Sequence, residues 1–246
     1  MEPEAVQERY TKLAPNYDRM MSFWAPLDRW RRRAVAETNI GEGDTILDIG
    51  CGTGKNFPFI EERIGPRGRL IGVDYTPAML EQAARRVDEA RWENVDLIEG
   101  KAEEVAHLVE GPVDGVISWC CLSIVPEWER AIAAGASLLR PGGRFTVYDM
   151  RTTKVKGLLG WPLTRFAEWW VNHYGVGDAE VDYAAAKPWK ATMASYLTGV
   201  RYQEMAFGTL FRCTGERSAA SDIAVVETEG NRTPRPEENP PGRLQA

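Results

Sequence analysis

Short apolar runs alternate with longer mixed stretches through the middle of this chain of 246 residues. The apolar runs are rich in Ile, Leu and Val and have the length of buried strands, and we interpret the stretches between them as helices. The predicted strands cover residues 45–49, 69–73, 95–98, 113–118 and 144–148, and the predicted helices cover 55–64, 76–90, 102–108 and 126–139. Strands that alternate with helices indicate a parallel sheet with crossover helices on both faces.

The two ends of the chain depart from this alternation. Residues 3–37 predict two helices that are interrupted at Pro15 and at Pro26, because proline disfavours a helix interior. Two further predicted strands, at 200–205 and 207–213, complete the sheet. The predicted fold is α/β: a Rossmann-like, mostly parallel sheet of seven strands, with one antiparallel strand at the end and helices on both faces.

Composition divides the chain into segments. Residues 1–40 are predicted to form an N-terminal helical cap, and residues 41–217 the main domain. Within that domain, residues 151–198 are a Trp-rich segment, predicted to be a helical insertion after the fifth strand. Residues 218–246 lack aromatic side chains and are rich in Pro and Glu, a composition typical of a disordered tail.

A glycine-rich loop, Asp-Ile-Gly-Cys-Gly-Thr-Gly, follows the first predicted strand at residues 48–54. Glycines permit a tight turn and let a ligand approach the backbone, and the helix that follows offers free N–H groups. The GxGxG spacing is one residue shorter than the GxGxxG of dinucleotide-binding enzymes. Asp74 ends the second strand, 20 residues after Gly54, where a carboxylate can accept both hydroxyls of a ribose. Together, the loop and Asp74 predict a site for a nucleoside-containing ligand.

Three motifs resemble those of class I S-adenosylmethionine-dependent methyltransferases: LDIGCGTG at 47–54, GVDYTPAML at 72–80 and LLRPGGR at 138–144. The resemblance covers roughly residues 40–150. It implies S-adenosyl-L-methionine as the cofactor and S-adenosyl-L-homocysteine as the product. It also implies that the methionine moiety lies against the glycine loop, the ribose on the acid and the adenine near the end of the third strand. The cofactor-binding residues so implied are Asp48, Gly50, Cys51, Gly52, Gly54, Asp74, Tyr75, Met79, Lys101, Ala102, Glu103, Ser118, Trp119 and Cys120. Glu103 is alternatively a charge at a helix N-terminus.

The pattern YxxxAPxYD at residues 10–18 resembles the start of bacterial phospholipid N-methyltransferases and of quinone C-methyltransferases. The resemblance implies that Tyr10 and Tyr17 close the cofactor site. Our first interpretation is N-methylation of a phospholipid headgroup amine, with C-methylation of a quinone or N- or O-methylation of a small molecule as alternatives. A non-catalytic protein that binds S-adenosylmethionine and a nicotinamide-dependent oxidoreductase are alternatives from other classes.

Candidate catalytic residues lie at the end of the fifth strand, directly after it, and in the insertion. An amine acceptor needs little more than deprotonation, whereas a phenol or an activated carbon profits from a nearby base. Tyr148, Asp149 and His173 are the candidates, and Asp149 lies at the carboxyl edge of the predicted sheet. His173 is alternatively an ordinary surface histidine.

Aromatic residues and methionines in the insertion and the N-terminal segment indicate an amphiphilic acceptor. They include Met20, Met21, Phe23, Trp24, Trp161, Phe166, Trp169 and Trp170. Two compatible interpretations stay open, since these residues can pack as a cap over the cofactor or form a lipid-facing lid. The arginines at 29 and 31–33 either meet an anionic membrane surface or solvate a helix face.

Composition excludes several classes of protein. A net charge of −6 argues against nucleic-acid binding, which needs clustered positive charge. The four cysteines and two histidines lack metal-ligand spacing, so we predict no metal site, and reduced cysteines are typical of a cytoplasmic protein. No apolar stretch has the roughly 18–20 residues that span a bilayer. We therefore expect a cytoplasmic protein with a small-molecule or lipid acceptor and peripheral contact with a membrane surface.

Overall fold

The computed structural model describes residues 3–21, 27–151, 154, 157, 160–174 and 187–219. The helices there are α1 (Pro3–Met21), α2 (Leu27–Glu37), α3 (Phe57–Ile64), α4 (Pro77–Ala90), α5 (Val105–Leu108), α6 (Trp128–Leu138), α7 (Gly160–Tyr174) and α8 (Trp189–Ala194). The strands are β1 (Thr45–Ile49), β2 (Arg69–Asp74), β3 (Val95–Glu99), β4 (Val113–Trp119), β5 (Leu139–Met150), β6 (Thr198–Met205) and β7 (Leu210–Glu216). Short 3-10 turns cover Ala102–Glu104 and Ala206–Gly208.

The seven strands form one sheet in the order β3-β2-β1-β4-β5-β7-β6. Strands β1 to β5 are parallel, and β7 runs antiparallel to both β5 and β6. The predicted Rossmann-like α/β fold is thus confirmed. The antiparallel strand is the last in the chain but lies inside the sheet, next to the edge strand β6. The strand order reverses at β1 and β4, and in such sheets ligands bind at the carboxyl ends of the strands at that point.

Helices cover both faces of the sheet and define two apolar layers. Ile46 of β1 is fully buried in a cluster with Ala34 of α2 and Phe57 of α3. Its neighbour Leu47 points the other way and is buried with Ile132 of α6. Because successive strand residues face opposite sides, a strand buried on both faces is apolar throughout. This is why the central strands appear as continuous apolar runs in the sequence.

Helix α1 continues through Pro15, so the interruption predicted there is wrong. Before the proline, the Gln7 Nε2 atom donates a hydrogen bond to the Tyr75 carbonyl at 2.8 Å. After the proline, Asp18 accepts a hydrogen bond from the Thr53 hydroxyl at 2.6 Å. These contacts fix both halves of α1 on the same surface, which offsets the backbone hydrogen bond that a proline inside a helix removes. The predicted break at Pro26 lies outside the described residues.

Several predicted boundaries shift by a few residues. Helix α3 begins at Phe57 and α6 at Trp128, each two residues later than predicted. Strand β5 begins at Leu139, five residues earlier than predicted, and its pairing with β4 is irregular there. Helices α7 and α8 fall within the predicted helical insertion, whereas most of the predicted tail lies outside the described residues. None of the described helices has the length and apolarity needed to cross a membrane.

Candidate cofactor and acceptor site

The glycine loop turns sharply at the end of β1. Gly50, Gly52 and Gly54 have φ angles of +70°, +56° and +72°, a region that side-chain-bearing residues rarely adopt. A Cβ atom at Gly50 would lie 2.2 Å from the sulfur of Cys121, so glycine is also required there for space. A Cβ atom at Gly52 would meet no atom within 4 Å. The Gly52 backbone therefore faces open space, where a ligand can approach it.

Asp74 fixes this loop from the end of β2. One carboxylate oxygen accepts a hydrogen bond from the Gly52 N–H at 2.8 Å, and the other accepts one from the Thr76 N–H at 2.9 Å. Burial raises the pKa of Asp74, and these backbone hydrogen bonds oppose that rise because they favour the charged form. Since each carboxylate oxygen has further lone pairs, the same group can also accept the hydroxyls of a ribose.

Asp48 is a fully buried carboxylate beneath the loop. One of its oxygens accepts a hydrogen bond from the Asn56 side-chain amide at 3.0 Å. Its other oxygen, Oδ1, has no hydrogen-bond partner among the described residues. Burial raises the pKa of Asp48 to about 7. Because a buried carboxylate with an unused oxygen is costly, it indicates a missing positively charged or hydrogen-bonding partner.

Replacing Asp48 with asparagine should stabilise the ligand-free protein at alkaline pH. The raised pKa means that ionised Asp48 destabilises the fold above about pH 7, and that this effect disappears as the pH falls towards the ordinary aspartate pKa. Removing the charge should therefore raise the midpoint of thermal unfolding by several degrees at pH 8, with little change near pH 4. Asp96→Asn is the control, since Asp96 is half exposed. An equal gain at both pH values would contradict the role given to burial.

Helix α1 lies across the loop and the start of α4. Arg86 of α4 donates to the Thr53 carbonyl at 2.9 Å and forms an ion pair with Asp18 of α1. The rings of Tyr10 and Tyr17 lie 6.2 Å apart, and both residues line the cavity above the glycine loop. The family resemblance implies that these two tyrosines close the cofactor site, and their position in the cavity wall is compatible with that prediction.

Most of the residues predicted to bind cofactor line this one cavity. They are Tyr10, Tyr17, Gly50, Cys51, Gly52, Asp74, Tyr75, Met79, Lys101, Ala102, Glu103, Trp119 and Cys120. The predicted residues Asp48, Gly54 and Ser118 are buried behind this wall rather than lining it. Further lining residues that the sequence did not single out as cofactor-binding are Val6, Arg31, Thr53, Lys55, Asn56, Val73, Thr76, Gly100, Cys121, Ile124, Val125 and Pro126.

Two of the three catalytic candidates do not line the cavity, and the side chain of the third lies outside the described residues. Tyr148 is buried against α2, where its hydroxyl donates to Glu37 at 3.0 Å and its ring stacks on Trp119 at 5.2 Å. Burial raises the pKa of Tyr148 to about 12, so it remains protonated at neutral pH. Tyr148 and Asp149 are not among the cavity-lining residues. His173 belongs to α7, but its side chain lies outside the described residues.

Asp149 supports the loop that follows β4. Its carboxylate accepts hydrogen bonds from the Ser123 N–H at 2.8 Å and from the Ser123 hydroxyl at 2.7 Å. Lys187 holds the same loop by donating to the carbonyls of Leu122 and Ser123 at 3.2 and 2.7 Å. Burial lowers the pKa of Lys187 to about 8, while the charge of Asp149 opposes that change. Because residues 120–121 and 124–126 of this loop line the cavity, we interpret Asp149 and Lys187 as positioning residues.

Arg31 was predicted to lie on a charged surface, and this prediction is wrong. The arginines at 29 and 31–33 were read as one charged surface, but Arg31 is only 3% exposed. Its guanidinium lies 5.2 Å from the centre of the Trp119 ring, and the residue lines the cavity. Helical spacing could have indicated that Arg31 is buried, since it precedes the buried Ala34 and Val35 of α2 by three and four residues and so shares their helix face.

The described residues fit S-adenosylmethionine, the cofactor that the motifs imply. The Asp74 carboxylate has spare lone pairs for a ribose, and the Gly52 backbone is accessible. Asp48 is buried behind the cavity wall, and the Asn56 side chain that donates to it lines the cavity with its own oxygen unused, an acceptor suited to a ligand that brings an ammonium group.

Comparisons with known proteins show similarity to methyltransferases. Residues 46–143 match the family described as "Methyltransferase domain". The chain is 31% identical over 157 residues to a protein named demethylmenaquinone methyltransferase from Listeria welshimeri, covering 63% of this chain and 66% of that protein. It is 37% identical over 113 residues to one named arsenite methyltransferase from Halobacterium salinarum, covering 45% and 28%. The matched region is thus slightly less than two thirds of the first relative's length.

A solved structure shows the same fold at low sequence identity. The chain superimposes on an S-adenosylmethionine-dependent methyltransferase from Aquifex aeolicus with a TM-score of 0.53 and 16% identity. The superposition covers 80% of this chain and 96% of that one.

Proposed function

We propose that this chain is a class I S-adenosylmethionine-dependent methyltransferase and that it methylates a ring carbon of a quinol-type aromatic acceptor. This is the alternative of the sequence interpretation rather than its first choice, N-methylation of a phospholipid headgroup. The similarity to a protein named demethylmenaquinone methyltransferase supports the change of order.

The apolar wall of the cavity carries the proposal. Helix α1 contributes Val6, Tyr10 and Tyr17 to this wall, and the loop after β4 contributes Ile124 and Val125. These five residues are apolar or aromatic, and none of them offers a carboxylate that would hold a cationic headgroup. A flat aromatic ring fits between such side chains, because aromatic rings favour stacked and edge-on contacts with one another.

When bound, S-adenosylmethionine supplies an electrophilic methyl group on its sulfonium sulfur. In the proposed reaction a ring carbon of the acceptor would take this methyl group in exchange for its ring proton, which would be released to solvent, and S-adenosylhomocysteine would be the other product. The protein's part is to hold the two reactants in line and to exclude water.

Tyr10 and Tyr17 can orient such an acceptor without acting as bases. Burial raises the pKa of both phenols, so each remains protonated and able to donate a hydrogen bond. An oxygen on the acceptor ring is a suitable partner for these donors. Because acceptor oxygens activate the ring carbon beside them, a hydrogen bond at the oxygen also sets which carbon faces the methyl group.

Exposed aromatic residues of α7 support an acceptor that resides in a membrane. Trp161 is 78% exposed, Trp169 is 54% exposed, and Phe166 lies beside Trp169 at a ring distance of 5.9 Å. Tryptophan favours the boundary between lipid and water, so this face suits peripheral contact with a membrane surface. None of the described residues of α7 lines the cavity. This helix therefore gives no support to the prediction that the aromatic residues form a cap over the cofactor.

The acceptor is tested by methyl transfer from isotope-labelled S-adenosylmethionine. We expect the label in a ring-methylated product when the reduced form of demethylmenaquinone is offered, and none with phosphatidylethanolamine or arsenite. Label in the lipid amine or in arsenic would replace the proposed acceptor. No labelled product with any of the three, from a protein that binds S-adenosylhomocysteine, would favour a non-catalytic binding protein instead.

A further inference from the structure

The turn between β6 and β7 presents a large apolar side chain to solvent. Phe207 lies in this turn and is 74% exposed. Ala206 and Phe207 have φ angles of +48° and +56°, in the left-handed region that residues with side chains rarely adopt. A strained turn that leaves most of an aromatic ring in water gains nothing from packing, which indicates a role outside the fold.

Contacts within the sheet hold this turn in place. The Thr209 hydroxyl donates to the Ala206 carbonyl at 2.7 Å, and the Arg151 N–H donates to the Thr209 carbonyl at 2.7 Å. The Arg151 side chain forms an ion pair with Glu204 of β6 at 3.1 Å. Because the backbone on both sides of Phe207 is fixed in this way, the exposed ring has a defined position on the surface.

The turn lies at the same edge of the sheet as the cavity. Met150, at the end of β5, and Met205, at the end of β6, both pair with Leu210 at the start of β7. Phe207 is therefore at the carboxyl ends of the strands, the edge at which the glycine loop follows β1. The chain also leaves this edge at Arg151, at the start of the segment that leads to α7.

That segment is basic in an otherwise acidic chain. Residues 151–167 contain two arginines and two lysines and no acidic residue, whereas the whole chain has a net charge of −6. Glu204 pairs with Arg151, and Glu168 pairs with Arg165 at 3.3 Å. The segment keeps a positive formal charge when these two acids are included. Positive charge is thus concentrated where the chain leaves the carboxyl edge of the sheet.

Helix α7 combines this charge with aromatic rings. Trp161, Arg165 and Trp169 follow one another at intervals of four residues, so they lie on one face of the helix, and all three are exposed. Tryptophan and basic residues on one helix face are typical of helices that lie in the surface of an anionic membrane.

We infer that the β6–β7 turn and the basic segment form one edge that binds an anionic lipid surface, with the Phe207 ring inserted among the lipids. This inference rests on the proposed function, because a membrane-resident acceptor is reached from such a surface, and it adds a docking residue that the sequence did not indicate. The combination of apolar rings with positive charge matches the acyl chains and the anionic headgroups of a bilayer together.

The test measures co-sedimentation with lipid vesicles. Vesicles of phosphatidylcholine alone are compared with vesicles that also contain phosphatidylglycerol, whose headgroup is anionic. The unmodified protein should bind the mixed vesicles about tenfold more tightly, since the basic segment attracts anionic headgroups. Phe207→Asn should weaken binding to the mixed vesicles about tenfold, because the inserted ring is lost. Asparagine tolerates the left-handed backbone, so the variant should keep its unfolding temperature.

Tyr196→Asn is the matched control. Tyr196 is also an exposed aromatic residue, but it precedes β6 whereas Phe207 follows it, so the two lie at opposite edges of the sheet. The control should bind the mixed vesicles as the unmodified protein does. Unchanged binding by Phe207→Asn, an equal loss in Tyr196→Asn, or equal binding of the unmodified protein to both kinds of vesicle would overturn the inference.

Methyl transfer separates this inference from the proposed function. Phe207→Asn should slow transfer to reduced demethylmenaquinone held in the mixed vesicles, with an unchanged rate on a water-soluble analogue that lacks the lipid tail. An equal loss of rate on both acceptors would overturn the inference. If the unmodified protein methylates neither acceptor, the proposed function fails instead, and the vesicle measurements still decide whether this edge binds lipid.

Discussion

Replacing Asp74 with asparagine should weaken the binding of S-adenosylhomocysteine by one to two orders of magnitude while the protein stays folded. The Asp74 carboxylate holds the Gly52 and Thr76 N–H groups and is the proposed acceptor for the ribose hydroxyls. Asparagine has the same shape but only one acceptor oxygen, and it lacks the charge that strengthens such hydrogen bonds. Loss of a hydrogen bond to a charged group costs about 1.5–3 kcal/mol, which corresponds to about 10- to 100-fold in affinity.

Calorimetric titration with S-adenosylhomocysteine measures this loss directly. Asp96→Asn serves as the control, because Asp96 of β3 is half exposed and pairs with Arg69 away from the cavity. The control should bind as the unmodified protein does. An Asp74→Asn variant with unchanged affinity would show that the ribose is not held at the end of β2.

A valine at Gly52 should abolish detectable binding of the cofactor. The Gly52 φ angle of +56° is unfavourable for a β-branched residue, so the variant also loses some stability. The larger effect is on binding, because the new side chain would enter the open space above the loop, where no protein atom lies within 4 Å. A ligand that packs against the Gly52 backbone cannot share that space with a valine side chain.

Gly43 provides a control that carries the backbone strain without the obstruction. Its φ angle is +85°, and a Cβ atom there would also meet nothing within 4 Å. The residue lies before β1 and is not among those that line the cavity. Gly43→Val should therefore lower the unfolding temperature without changing the affinity for S-adenosylhomocysteine. Normal binding by Gly52→Val would place the cofactor elsewhere.

The sheet could be predicted from the sequence because its central strands are buried on both faces. Such strands are continuous apolar runs, and Ile46 and Leu47 show how adjacent residues enter opposite layers. The glycine loop and Asp74 were also visible, since their roles depend on backbone conformation and fixed spacing. These features are local, so a single sequence contains the information needed to find them.

Features that depend on contacts distant in sequence were not predictable in the same way. The continuation of α1 through Pro15 depends on contacts with Thr53 and Tyr75, which lie far along the chain. The burial of Arg31 depends on how α2 packs, and charge alone suggested a surface residue. Tyr148 was placed correctly on the fifth strand, but the direction of its side chain, towards Glu37, is decided by packing against α2.

The most direct test of the account is a calorimetric titration of the unmodified protein with S-adenosylhomocysteine and, separately, with NAD⁺. We expect saturable binding of one S-adenosylhomocysteine per chain and no saturable binding of NAD⁺, since the GxGxG loop is one residue shorter than the GxGxxG loop of dinucleotide-binding enzymes. Binding of NAD⁺ in preference to S-adenosylhomocysteine, or binding of neither ligand, would contradict the assignment of the site above the glycine loop.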